Sequence, residues 1–134
     1  MPGRTLIPLL VASCIALLGA APPSHARDGG HDDDVRASAT CGRGASGALR
    51  IRAHDGSIRI EFTLRRRRAG ERWRIVLVHE RRVAWRGTLR TSRTSGSLRL
   101  RRSVPDFDGP DQVTARASGP RGLTCLASAT LAAS

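Results

Sequence analysis

From residue 40 onward the chain alternates apolar and polar side chains, and it does so again and again. Leu49, Ile51 and Ala53 are separated by Arg50 and Arg52. After Asp55-Gly56, the residues Ile58, Ile60, Phe62 and Leu64 are separated by Arg59, Glu61 and Thr63. A period of two lays every second side chain on one face of a pleated strand, whereas a helix needs a repeat of about 3.6. Asp55-Gly56 fits a two-residue hairpin turn, because Gly tolerates positive φ. Trp73, Ile75 and Leu77 form the next inward face, with Val76 and Val78 behind them. Glu80-Arg81-Arg82 turns the chain, and Val83, Trp85 and Leu89 then alternate with Arg86, Thr88 and Arg90. Leu98 and Leu100 follow the turn at Thr94-Ser95-Gly96-Ser97; Val113, Ala115 and Ala117 follow a Pro/Asp/Gly-rich loop at 105–111; the last strand runs over 123–131. This spacing predicts seven antiparallel strands, plus a short opening segment at Thr40-Cys41, in a sandwich or a small barrel.

What precedes the pattern reads differently. Arg4 supplies a positive start, 6–21 is an apolar run of 16 residues, and Ser24-His25-Ala26 places small residues where a signal peptidase reads them. The run is shorter than the roughly 20 residues that span a bilayer as a helix. The expected organisation is a signal peptide at 1–26, a disordered tail at 27–39 and the β-domain at 40–134, which makes the protein secreted. Val11-Ala12-Ser13-Cys14 offers the alternative of a lipid anchor at Cys14. The tail holds His31, Asp32, Asp33 and Asp34 with few apolar residues, so it has little to bury; those four side chains are at most a loose metal-binding cluster.

With the leader removed, two cysteines remain, and an exported chain with an even number of them invites a disulfide. Only one pairing exists, Cys41 with Cys125. In the chain-entropy view, closing a loop of about 85 residues is worth roughly 4–5 kcal/mol.

The charge is lopsided: 23 basic residues, every one arginine, face 11 acidic ones, for a net charge of +12, and lysine and tyrosine do not occur. A cationic surface of this kind suits an anionic partner. The high Ala, Gly and Arg content equally fits a GC-rich genome. Arginine opposite an apolar neighbour is also how a strand keeps its outer face wet and its edges from pairing. Candidate polyanion contacts are Arg65, Arg66, Arg67 and Arg68, with Arg99 and Arg101.

The early Cys41, the Arg72-Trp73-Arg74-Ile75 strand, the Thr94-Ser95-Gly96-Ser97 turn, the strand over 111–117 and the late Thr124-Cys125 together resemble an immunoglobulin-like β-sandwich. They are also similar to small uncharacterised secreted proteins of GC-rich bacteria. The resemblance covers 40–131 and implies a fold and an extracellular address, with no activity attached. In antibody-type domains a Trp follows closely on the first Cys; here Trp73 lies 32 residues after Cys41, and there is no tyrosine for a tyrosine corner.

Little of this looks catalytic. His31 falls in the tail, His54 abuts a turn and His79 ends a strand, with no nucleophile elbow in the chain. Trp73 and Trp85 are expected in the core. Asp106, Asp108 and Asp111 offer a weak calcium candidate, but the loop lacks EF-hand spacing and carries Pro110. Aromatic residues make up only 3% of the chain, few for base stacking, so no specific nucleic-acid partner is expected. The sequence therefore predicts a monomeric, cofactor-free, non-catalytic secreted binding module. Its expected partner is a protein or an anionic cell-envelope polymer, with no membrane span. The alternatives are an inhibitor or effector acting through the 105–111 loop and, last, a hydrolytic enzyme using His54 or His79.

Overall fold

A computed structural model describes residues 34–133. The expected signal peptide, Cys14 and the His31-Asp32-Asp33 part of the tail lie outside the described residues. Strands take up nearly all of the rest: β1 Asp34–Cys41, β2 Ala45–His54, β3 Ser57–Arg66, β4 Arg72–His79, β5 Arg82–Arg90, β6 Ser97–Pro105, β7 Asp111–Ser118 and β8 Thr124–Leu131. A single 3-10 turn, Pro120–Gly122, precedes β8. Among the described residues no helix is long and apolar enough to cross a membrane.

The all-β antiparallel expectation holds, but there are eight strands and not seven, in the order β5-β4-β7-β8-β1-β2-β3-β6. The extra strand is β1, whose residues 34–39 belong to what the composition marks as a disordered tail. Val35, Ala37, Ala39 and Cys41 alternate inward and pack against the core, and Asp34 through Ala39 pair with β2. Their small size makes the alternation faint in the sequence. What orders the segment is the backbone ladder, together with ion pairs from Asp34 to Arg50 and Arg52. β1 then changes partner: Thr40 and Cys41 pair with Leu126 and Cys125 of β8. One strand thus joins two four-stranded halves into a nearly closed sheet, and the immunoglobulin-like arrangement of separate sheets is not what this topology displays. The Cys41–Cys125 disulfide lies at that junction.

One core fills the space between the halves. Leu49, Ile51, Ile58, Ile60, Phe62 and Leu64 come from one side; Trp73, Ile75, Leu77, Val113 and four alanines of β7 and β8 come from the other. Large side chains facing small ones are the arrangement by which two layers interdigitate. Gly119 lets the backbone lie against Trp73, since a Cβ there would sit 2.6 Å from the indole. Trp85 is only half buried, and Arg102 caps its ring at 4.7 Å in the gap where β5 and β6, the two ends of the sheet, approach without pairing. Val83, expected inward, is 48% exposed. A bulge at Leu77/Val78 shifts the register, so Val83 sits opposite outward Val78 while Trp85 sits opposite buried Leu77.

All hairpins run antiparallel, so the loops collect at two ends. Loops 42–44, 67–71, 91–96 and 119–123 share one end; 55–56, 80–81 and 106–110 share the other. Asp55 and Gly56 both have positive φ, as a type I′ two-residue hairpin turn requires. So do Glu80 and Arg81, at φ 47° and 65°, a conformation that costs side-chain-bearing residues about 1 kcal/mol each.

Candidate anion-binding groove

The run of four arginines at the end of β3 splits according to strand register. Arg65 points outward and Arg66 inward, past the last core leucine, Leu64. Arg66 is therefore not a surface contact, contrary to the expectation from composition. Its guanidinium meets Glu71 in a two-pronged pair, Nε to Oε2 at 2.8 Å and Nη2 to Oε1 at 2.9 Å, and its Nη1 donates to the carbonyls of Gly44 and Arg43. The geometry is the fork-to-carboxylate match that arginine makes best. The guanidinium holds the Glu71 carboxyl below its ordinary range.

That buried pair organises one end of the nearly closed sheet. Thr91, itself buried, ties 67–71 to 91–96: its hydroxyl donates to the Arg68 carbonyl at 2.6 Å and accepts from the Glu71 amide at 2.9 Å. The Arg66 amide donates to the Gly96 carbonyl at 2.7 Å. Gly96 has φ 61°, and a Cβ there would meet the Arg66 carbonyl at 2.3 Å, so only glycine lets the two loops touch. Ser92, Ser95 and Ser97 link their hydroxyls in a chain, 2.5 Å and then 2.7 Å.

The result is an open groove lined by Arg65, Arg67 and Arg68, with Arg66 beneath them, in which Ser46 of β2 and Ser97 of β6 flank Arg65 from opposite sides and Ser95 adds a third serine, with no carboxylate in its lining. Arg65, Arg67 and Arg68 are exposed. The acid nearest in sequence, Glu71, is consumed by Arg66, with Arg121 Nη2 at 3.7 Å as a second cation. Guanidinium forks and serine hydroxyls are what phosphate and sulfate oxygens take as donors. The serines carry no signal in the sequence beyond that of turn residues. Arg99 and Arg101, the other expected contacts, stand outside the groove on the adjoining sheet face, where both approach Glu61, at 3.8 Å and 2.9 Å.

The opposite end gathers a second set of groups. His79 Nε2 lies 2.5 Å from Asp111 Oδ1, and both side chains are buried. Phe107 stacks on the imidazole at a centroid distance of 5.1 Å. Glu80 Oε1 accepts the Gln112 amide at 2.6 Å. Asp106 faces Asp111, which raises the Asp106 carboxyl above its ordinary range, burial adding to the effect. Of the calcium candidates, Asp106 and Asp111 thus come together, while Asp108 stays exposed. His79, Glu80 and Asp111 could each offer one donor atom to a metal ion, all within 4.8 Å of one another. Donors at about 2.1 Å from one ion stand roughly 3 Å or more apart, so the 2.5 Å contact is a hydrogen bond that locks β4 to β7. Asp34 of the tail cluster is taken by Arg50 and Arg52. His54 is exposed, 3.1 Å from Asp55.

The fold and groove define a small all-β domain, closed by a disulfide, with a cationic end. No protein-family model matches the chain, and no curated protein matches it. Among solved structures it is similar to chicken MD-1 complexed with lipid IVa, at 7% identity over 73% of this chain and 97% of that one. The TM-score is 0.29, a superposition too loose to carry any argument about architecture or ligand.

Proposed function

We propose that the protein is a non-catalytic binding module that works outside the cell and holds an anionic polymer in the groove of Arg65, Arg67 and Arg68. The observation that carries this reading is the composition of that groove: three guanidinium groups without an ion-pair partner and three serines line it, and the two nearby acids are engaged, Glu71 by Arg66 and Glu61 by Arg99 and Arg101. Free arginines beside a fixed hydroxyl row suit a chain of phosphate or sulfate groups, which each guanidinium grips through two N–H donors. The signal-peptide pattern and the Cys41–Cys125 bridge support an extracellular address.

The test is binding to wall teichoic acid, heparin and DNA across a salt series. Electrostatic binding weakens as a power of salt concentration, with a slope set by the number of phosphates engaged. The reading expects teichoic acid or heparin to survive physiological salt better than DNA. The triple variant R65Q/R67Q/R68Q should lose that preference, with affinity falling about tenfold or more. Equal, salt-sensitive binding to all three polymers, unchanged in the variant, would overturn it.

A second reading rests on Phe107. It is 51% exposed at the tip of the 105–111 loop, yet pinned by its stack on His79. A fixed exposed aromatic is what an inhibitory loop presents to a partner protein. Under that reading Phe107→Ala abolishes capture of the partner while polymer binding is untouched.

A further inference from the structure

The two halves of the sheet carry arginine on their outer faces in different company. On the half containing β2, β3 and β6, four of the outward arginines are held by acids, Arg50 and Arg52 sharing Asp34 and Arg99 and Arg101 sharing Glu61, while Arg59, Arg65 and Arg102 have no ion-pair partner among the described residues. On the half made by β5, β4, β7 and β8, no outward position holds a carboxylate. Among the described residues, none of Arg72, Arg74, Arg86, Arg90 and Arg116 has an ion-pair partner.

Between those arginines lie four apolar side chains, Val76, Val78, Val83 and Leu126, among threonines and serines. One cross-strand row reads Arg86, Val76, Arg116, Leu126. The row beside it pairs Val83 with Val78 and continues to Thr114 and Ser128. Leu126 and Val83 are 52% and 48% exposed, and they are two of the three large apolar side chains that the described residues leave in water. The bulge that turns Val83 outward places it on this face.

We infer that this face is a docking surface for an anionic lipid bilayer. A soluble polyanion would use the guanidinium groups and leave Val83 and Leu126 wet. A protein partner would be expected to meet some acid on a face of this size with its own cations, and there is none. A bilayer answers both features at once: its phosphates accept the guanidinium forks, and the glycerol and acyl boundary beneath them takes the valines, the leucine and the arginine stems. The face lies on the other half of the sheet from Arg65 and meets the groove only at Arg68, which shares a depression with Arg72 and Arg74, so the inference stands whether or not the groove binds polymer.

The experiment is co-sedimentation of the purified protein with vesicles of phosphatidylglycerol in phosphatidylcholine, and with phosphatidylcholine alone. The protein should partition to the anionic vesicles only. R74Q/R86Q/R116Q should weaken that partition by more than about tenfold. V83S/L126S should weaken it several-fold while leaving heparin binding unchanged, a readout that bulk charge cannot mimic. The groove variant R65Q/R67Q, which spares the Arg68 that lies beside Arg72 and Arg74, should partition like the wild type. All substituted side chains are at least partly exposed, and an unchanged melting temperature verifies each fold. No partition, equal loss in the groove variant, or no effect of V83S/L126S would each overturn the inference.

Discussion

The two ends of the nearly closed sheet are built from the same kinds of hairpin loop and carry opposite charge. The described residues hold eight carboxylates: Asp34, Asp55, Glu61, Glu71, Glu80, Asp106, Asp108 and Asp111. Six of them, all but Glu61 and Glu71, lie at or beside the 55–56, 80–81 and 106–110 turns. The other end carries Arg43, Arg67, Arg68, Arg93 and Arg121 in its loops against Glu71 alone. Each end also contains one buried polar lock, and the locks act oppositely on the surface above them. Arg66 consumes the only acid of its end and leaves the surface cations unopposed. Asp111 turns its carboxylate inward to His79, so one of the acids of its end is spent internally. What a charge cluster does at the surface is decided by which of its members the strand register takes inside.

The arginine end is also the one held covalently, and there lies the largest expected effect. Replacing Cys41 and Cys125 together with alanine should cost about 4 kcal/mol in urea unfolding, and reductant should reproduce the loss in the wild type but add nothing to the variant. A loss below about 1 kcal/mol would mean that the ladder from β1 to β8 needs no staple. Next comes the lock itself. Glu71→Gln leaves a buried guanidinium without a counter-charge and should lower the melting temperature by more than about 5 °C, since breaking one side of a buried pair is far costlier than removing both. The double variant R66M/E71M should recover most of that loss. At the acidic end, Asp111→Asn should cost about 2 kcal/mol, as a charge-assisted hydrogen bond to a buried imidazole becomes a neutral one. If Glu71→Gln and Asp111→Asn prove equally mild, neither end is organised by its lock.

The strands with bulky residues are plain in the sequence. Leu49 and Ile51, then Ile58 through Leu64, then Trp73 through Leu77, alternate strongly enough to fix strand and face, and Asp55-Gly56 fixes the turn between two of them. β1 is faint because Ala37 and Ala39 differ little in hydropathy from Ser38 and Thr40; its order comes from pairing with β2 and β8, which no local window contains. Val83 is misplaced by a bulge that inserts one residue without changing the composition. The disulfide follows from counting cysteines. Of the site, the arginine run is conspicuous, but Arg66 enters the interior because Glu71 waits there, and Ser95 and Ser97 acquire meaning only once loop 91–96 folds against loop 67–71. His79 and Asp111 stand 32 residues apart and meet only through the pairing of β4 with β7.

The finest way to separate the two ends is by pH, because Glu71 at one end and Asp106 at the other are shifted in opposite directions, while Asp34, beside the acidic end, is lowered by its bond from Arg50. Glu71 is held below the ordinary glutamate range by Arg66, so its contribution to stability is complete above the unfolded value of about 4.3 and fades as pH falls through the lowered folded value. Asp106 is raised by the facing Asp111. Its contribution is complete below the unfolded value of about 3.9 and fades as pH rises through the raised folded value. Glu71→Gln should therefore flatten the acid limb of a stability profile. Asp106→Asn should do the reverse: it removes an ionised carboxylate from in front of Asp111, and so should raise the melting temperature slightly at neutral pH and leave it unchanged at low pH. Equilibrium unfolding of both variants and the wild type across the acid range checks the pair together. Should Asp106→Asn destabilise at neutral pH, the charge of Asp106 would be serving a cation at that end, and the acidic end would have to be regarded as a binding site in its own right.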